Sequence, residues 1–248
     1  IPAGRVADGT VRLDGLHTVR AAVENSARTI LRMRATRNGF ARLEIGEAES
    51  LPFPVEIVEP KEIDKETGSD AVHQGVMIEA EPLRHKKLSE LKDSPLLLVL
   101  DQVTDPHNVG AIIRSAVAFG AGAIITTSRH SPQESGVLAK AASGALELIP
   151  HIEVRNLAEA IEELHSLGFM TIGLDSEGPL EMEATLEGGR VALVLGAEGK
   201  GLRQKTRETV TALARLDMPG EIKSLNVSNA AAISLYAAER YLRARNGS

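Results

Sequence analysis

From residue 95 to the carboxyl end, short apolar runs alternate with helix-patterned stretches, and this alternation restricts the fold more than any other feature of the chain. Leu96 to Asp101, Ala123 to Thr126, Phe169 to Leu174 and Val191 to Leu195 are runs of mostly apolar or β-branched residues. Runs of that length, bounded by polar and glycine-rich sequence, read as buried strands. Helical spacing fills the intervals, as in Val109 to Phe119 and Leu157 to Leu167. Apolar strands joined by helical crossovers imply a parallel sheet covered on both faces, an α/β domain. Ligands of such sheets gather beyond the carboxyl ends of the strands, so the sequence following each run is where chemistry is expected. The chain closes with an alanine-rich stretch, Asn226 to Arg245, whose basic end suits the end of a long helix.

Upstream, residues 10–82 read as a small mixed domain. Leu16, Val19, Val23, Ala27 and Ile30 fall at helical spacing from Gly15 to about Leu31, followed by strand-like runs punctuated by Pro52, Pro54 and Pro60. Leu83 to Ser94 is charged, has few large apolar residues and ends before a proline, as linkers do. The expected division is a domain over 1–82, a linker over 83–94 and the α/β domain over 95–248.

Composition excludes several classes of function. Without cysteine there is no disulfide, thiolate nucleophile or cysteine zinc site, and the seven histidines have no ligand spacing, so no protein-bound metal is expected. The longest apolar run, Leu96 to Leu100, is far below the roughly 18 to 20 residues of a membrane span, so no membrane association is expected. Residue 1 is Ile, which reads as a trimmed or processed start from which a targeting segment could have been lost. The net charge of −6 argues against indiscriminate nucleic-acid binding, yet eight arginines stand against three acids from Ile1 to Arg42. Between Glu24 and Glu44 lie Arg28, Arg32, Arg34, Arg37 and Arg42 with no acid among them. Such a cluster is either a solvated face or a phosphate-contacting surface. Six aromatics are too few for a base-stacking platform, so recognition of RNA by this chain should rest on phosphate, ribose and shape.

Three motifs follow strand-like runs. The first is Asp101-Gln-Val-Thr-Asp-Pro-His-Asn-Val-Gly110, with a helix expected from about Val109 and Arg114 about one turn in; Asn108 as helix cap and Arg114 in a surface ion pair is the bland account. The second, Leu195-Gly-Ala-Glu-Gly-Lys-Gly-Leu, fails the spacing of dinucleotide and phosphate loops. Its Gly196, Gly199 and Gly201 serve either a tight turn or close approach of a ligand to bare backbone, and Glu198 within the turn leans toward the latter. The third, Ser224-Leu-Asn226-Val-Ser-Asn229, carries more small polar residues than the single side chain a helix cap needs.

Together and in this order the motifs resemble those of the SpoU (TrmH) family of RNA ribose 2′-O-methyltransferases, of the SPOUT class. Asn108-Val-Gly-Ala-Ile-Ile-Arg114 resembles its first motif, Leu195 to Leu202 its second and Ser224-Leu-Asn-Val-Ser its third. Gly15-Leu-His-Thr-Val-Arg and Ala71-Val-His-Gln-Gly-Val are similar to the substrate-binding domain of the subgroup that methylates a guanosine ribose in large-subunit ribosomal RNA. The resemblance implies an α/β fold with a SPOUT-type parallel sheet and a C-terminal trefoil knot, preceded by a small α+β domain that binds RNA. It implies S-adenosyl-L-methionine as methyl donor, held at Gly196, Leu216, Met218 and Leu225, and a catalytic set of Asn108, Arg114, Glu198, Ser224 and Asn226. It also implies a homodimer acting on ribosomal RNA, in the cytoplasm of a bacterium or in a mitochondrion. With such a substrate, Arg28, Arg32, Arg34 and Arg37 become expected RNA contacts. A transfer RNA methyltransferase of the same family and a non-catalytic RNA-binding assembly protein are the alternatives. A nucleotide-dependent α/β enzyme is disfavoured by the failed loop spacing.

Overall fold

The computed structural model describes residues 9–247. They form two compact units: one takes the chain up to Arg84 and then Gln133–Leu148, the other His85–Pro132 and the chain from Ile149 onward.

The first unit contains β1 (Val11–Asp14), α1 (Leu16–Glu24), β2 (Ile30–Ala35), α2 (Arg37–Leu43), β3 (Val55–Ile57), α3 (Pro60–Thr67) and β4 (Val76–Ala80). Its sheet runs β1-β4-β2-β3, with β4 antiparallel to β1 and β2, and β3 parallel to β2. Side chains alternate as a half-covered sheet requires: Val11, Leu13, Met33 and Ala35 are buried, whereas Arg12, Arg32 and Arg34 take the other parity. The helix expected from Gly15 to Leu31 is shorter. The Asn25 side chain accepts the Ala27 N–H at 3.0 Å, closing a turn that competes with helix, and Ile30 already belongs to β2.

The second unit carries a seven-stranded sheet. Its elements are β5 (Leu96–Asp101), α4 (Pro106–Ala118), β6 (Ile124–Thr127), β7 (His151–Val154), α6 (Leu157–Ser166), β8 (Met170–Leu174), β9 (Leu180–Glu181), α7 (Met182–Thr185), β10 (Val191–Gly196), α8 (Gln204–Thr209), β11 (Ala212–Arg215) and α9 (Val227–Asn246). The intervening α5 (Gly136–Ala142) belongs to the first unit. Every neighbouring pair in the order β7-β6-β5-β10-β8-β11-β9 is parallel, as the apolar runs required. All six residues of β5 are buried, and β10 lies beside it in register from Val191↔Leu96 to Gly196↔Asp101. The chain leaves β5 toward β6 and β7, then returns to build the other side. Asp101 and Gly196 therefore end adjacent strands at the point where the order reverses, and their loops open side by side.

Residues 85–94, expected as linker, fold onto this unit. Lys86 bridges to Ile152, and Leu88 is buried with Leu97, Val99, Ile125 and Ile152. Leu88 and the partly buried Leu91 over an apolar sheet, with the Lys86 N–H donating to the His151 carbonyl at 2.8 Å, hold a segment whose composition is otherwise that of solvent-exposed chain.

Candidate active site

The turn after β10 explains its glycines. The Gly201 N–H donates to the Ala197 carbonyl at 2.7 Å, and Gly199 and Gly201 hold φ of 76° and 66°, which side chains disfavour. A Cβ on Gly196 would stand 2.2 Å from the carbonyl carbon of Gly201, so this glycine is required by the turn's own backbone. The same geometry leaves bare main chain along one wall of a hollow of about 580 Å³ at the strand-end edge of the sheet.

That hollow gathers three further strand-end segments. Leu174 ends β8 with Asp175 and Ser176 following it, Leu216 and Met218 follow β11, and Ser224 to Asn226 lead into Val227 at the start of α9. Gly196, Leu216, Met218 and Leu225, the expected cofactor positions, all line it, together with Glu198, Ser224 and Asn226. Its size and its apolar wall with a few polar groups are those of a site for a small organic ligand. Asp175 and Ser176 line it too and were not singled out in the sequence; they stand at the end of a strand-like run, the one signal that marks them.

A second hollow of about 480 Å³ adjoins the first and shares Ala197, Glu198 and Val227 with it. Its other lining includes Gln102, Asp105, Asn108 and His130. Glu198 thus stands on the ridge between the two, exposed and without a hydrogen-bond or ion-pair partner among the described residues. Asn108 does not cap α4. Asp105 does, accepting the Asn108 N–H at 3.0 Å with Pro106 at the first helical position, which frees the Asn108 side chain for the hollow. Asn226, in contrast, does cap: its Oδ1 accepts the Ser228 N–H at 2.9 Å. The cap occupies only that oxygen, and the two amide N–H groups of Asn226 have no partner among the described residues.

Arg114 lines neither hollow. Six residues along α4 from Asn108, it points about 120° round the helix axis from it. It is exposed and has no ion pair among the described residues, so the surface pair expected of a bystander arginine is absent there.

The N-terminal arginines require correction. Arg28 is no surface contact: its side chain is 0% exposed, with Nη1 2.7 Å from Glu134 and Nη2 2.5 Å from Glu147. These acids flank α5 and hold it to the first unit through Arg28; burial pushes the Glu134 carboxyl above its ordinary value against the pull of Arg28. Arg32 lies across β4 from Glu79, at 2.8 Å, and also meets Glu66 at 2.9 Å. Arg34 lies across β3 from Glu56, at 2.8 Å, and also pairs with Glu66. The hydrogen bonds from Arg32, then Arg12, hold Glu79 below its ordinary value. Of the four expected RNA contacts only Arg37 is exposed and unpaired among the described residues.

A parallel sheet whose reversal point gathers bare backbone, apolar side chains and unpaired polar groups into adjoining hollows defines an α/β enzyme that handles its ligands at the strand ends. Sequence models agree and are more specific: that of the SpoU rRNA Methylase family matches residues 95–236, and one described as RNA 2'-O ribose methyltransferase substrate binding matches residues 13–86. The chain is 39% identical over 236 residues to the 23S rRNA (guanosine-2'-O-)-methyltransferase RlmB of Ralstonia nicotianae, covering 92% of this chain and 94% of that one. It is 36% identical over 239 residues to the RlmB of Pseudomonas putida, covering 92% and 96%. Among solved structures, the AdoMet-bound rRNA methyltransferase from Sinorhizobium meliloti superposes with a TM-score of 0.78 at 25% identity, over 94% of this chain and 88% of that one. The chain belongs to the SpoU rRNA methylase family.

Proposed function

We propose that this protein transfers a methyl group from S-adenosyl-L-methionine to a ribose 2′-hydroxyl of large-subunit ribosomal RNA, at a guanosine, in the bacterial cytoplasm. The observation that carries this reading is the convergence of Gly196, Leu216, Met218 and Leu225 with Glu198, Ser224 and Asn226 on one hollow, from three segments of the chain. The RlmB names of the relatives support the substrate, as the AdoMet complex of the Sinorhizobium meliloti protein supports the methyl donor.

Bound in the first hollow, S-adenosylmethionine would supply a methyl carried on a sulfonium. The apolar side chains of Leu216, Met218 and Leu225 suit a thioether and the face of an adenine, and the bare backbone at Gly196 lets a ring approach. The adjoining hollow, with Asn108 and Glu198, would receive the ribose, which would let its hydroxyl approach the methyl across the shared ridge. A new O–C bond forms as the S–C bond breaks, and the hydroxyl proton leaves to phosphate or water. A guanidinium, whose pKa stays above about 12, is no base. Arg114 instead clamps the neighbouring phosphate and stabilises the charge growing on oxygen, Glu198 orients Arg114 or Asn108, and Ser224 and Asn226 shape the pocket.

In this reading the active protein is a homodimer and Arg114 completes the partner's site. The outward aim of Arg114 supports that, as does the α9 surface, where Ile233 and Tyr236 are 47% and 54% exposed. The knotted path of the C-terminal segment belongs to the same proposal. The test is calorimetric titration with S-adenosylmethionine, then methyl transfer to transcribed rRNA and tRNA fragments with the 2′-O-methyl position mapped. Failure to bind the donor or to modify any RNA sinks the reading; modification of tRNA alone would replace the substrate.

A further inference from the structure

We propose that a cleft at the carboxyl ends of β6 and β7, walled by Thr127, Arg129, His130, Arg155 and Arg203, is a subsite for a backbone phosphate of the RNA; this rests on the reading of the chain as an RNA methyltransferase. The cleft holds about 610 Å³, and no acid lines it. Its arginines come from three separate segments. Arg129 follows β6, Arg155 follows β7, and Arg203 precedes α8; Thr127 lies opposite Val154, and the Ser128 N–H donates to the Val154 carbonyl at 3.0 Å, which sets the two strand ends side by side.

Two features mark a built site. Arg203 is locked in place by Asp101, which is 0% exposed: its Nε donates to one carboxylate oxygen at 2.6 Å and its backbone N–H to the other at 2.9 Å. That carboxylate anchors the guanidinium through one edge, and its Nη groups have no partner among the described residues. The second feature is the Thr127 hydroxyl. The residue is 4% exposed and lines the cleft, yet its Oγ1 has no hydrogen-bond partner among the described residues. Buried hydroxyls are ordinarily paired, so this one, enclosed in the wall of the cleft, leaves a hydrogen-bonding capacity unused. Arg129 and Arg155 likewise have no ion pair or hydrogen bond among the described residues. A phosphodiester supplies what this set lacks: negative charge and oxygens matched to planar guanidinium forks.

His130 ties the cleft to the chemistry, because it also lines the hollow of Asn108 and Glu198. An RNA strand with its ribose in that hollow carries a neighbouring phosphate past His130 toward Arg129 and Arg155. The cleft therefore fixes strand direction and register, while base identity is read elsewhere.

The test compares the full-length protein with an Arg129→Gln/Arg155→Gln variant and an Arg129→Lys/Arg155→Lys variant. Both positions are exposed, and equal melting temperatures check the fold. Affinity for a transcribed rRNA fragment is measured from about 50 to 200 mM salt. The glutamine variant should bind on the order of tenfold more weakly, with a salt slope shallower by roughly 0.7 to 0.9, and with unchanged S-adenosylmethionine affinity. The lysine variant should keep the slope. RNA affinity and slope unchanged in the glutamine variant would overturn the proposal, as would substitutions that alter only the binding of inorganic phosphate. The outcomes separate cleanly: a wild type that binds RNA in this manner but transfers no methyl sinks the methyltransferase reading alone, and one that transfers methyl with a binding-neutral glutamine variant sinks the subsite alone.

Discussion

Two groups of arginines, one in each unit, have opposite surroundings. In the N-terminal sheet, Arg12, Arg32 and Arg34 take the same face and each meets a glutamate on a neighbouring strand or on α3, so the face is a ladder of opposite charges. In the second unit, Arg114 on α4 and Arg129 and Arg155 at the ends of β6 and β7 meet no acid among the described residues, whereas Arg203, Arg207 and Arg215 are paired. A local excess of basic residues in sequence is therefore a poor guide to an excess of positive charge in space. Pairing across a sheet or between strand ends imports charge from chain tens of residues away, as Glu79 does for Arg32 and Asp101 for Arg203, while Arg129 and Arg155 keep the charge they carry.

The sharpest way to break the comparison is at Arg28. Replacing it with Met leaves Glu134 and Glu147 enclosed without their cation, a loss expected to cost about 3–5 kcal/mol. Urea unfolding should show that deficit at neutral pH, with RNA affinity of the folded protein unchanged. A variant of normal stability that binds RNA poorly would return Arg28 to the recognition surface.

Arg114 tests the other side. Arg114→Lys keeps the charge but loses the planar fork, and kcat for methyl transfer should fall on the order of a hundredfold. Exposure and lack of partners place the stability change within about 0.5 kcal/mol. Near-normal turnover in single-turnover kinetics would show that a point charge suffices and remove the clamp.

A half-buried histidine of the second unit offers a further test, since it stands beside a hydroxyl and a second imidazole rather than an acid. His151 on β7 shares a hydrogen bond of 2.8 Å with Thr126 and lies 4.5 Å from the His85 ring. Burial, then the neighbouring His85, lowers its pKa from 6.5 to about 3. Between those values the unfolded chain binds a proton that the folded protein refuses, so stability falls as pH drops from about 6.5 toward 3, by at most about 1.4 kcal/mol per pH unit. His151→Gln should flatten the difference in denaturant stability between neutral and mildly acidic pH. Identical slopes in variant and wild type would mean that His151 is protonated in the fold.

The legibility of the chain follows the same division. Four strands of the second unit, β5, β6, β8 and β10, were readable because each is mostly apolar or β-branched; β5 occupies the expected Leu96–Asp101, β8 and β10 differ by a residue from their runs, and β7, with His151 and Glu153 in four residues, was not readable. β11, only four residues with a half-buried pattern, carried no such mark, and β9 still less. The hollow was legible because its positions follow strand-like runs in one family-specific order. The ion pairs were not, since Glu56, Glu66 and Glu79 reach their arginines only through strand and helix packing. Nor was the membership of α5, which depends on two acids meeting one distant arginine.

The smallest effect is expected at Arg32, and it is the closest control for the cleft. Arg32 donates to Glu79 at 2.8 and 3.0 Å and to Glu66 at 2.9 Å, but its side chain is 36% exposed, and such pairs contribute roughly 0.2–1 kcal/mol. Arg12 still reaches both acids in an Arg32→Gln variant, which reduces the loss further. Because Glu79 is held below its ordinary pKa chiefly by Arg32, the stabilisation is present above the ordinary carboxylate range and disappears as pH falls through the lowered value. The difference between variant and wild type should accordingly be small at neutral pH, shrink with added salt and vanish in acid. RNA affinity should not change, because Arg32 is already neutralised by its own sheet. If Arg32→Gln weakened RNA binding as much as Arg155→Gln, the glutamates of the ladder would be giving way to phosphate, and pairing in the free protein would no longer separate structural arginines from functional ones.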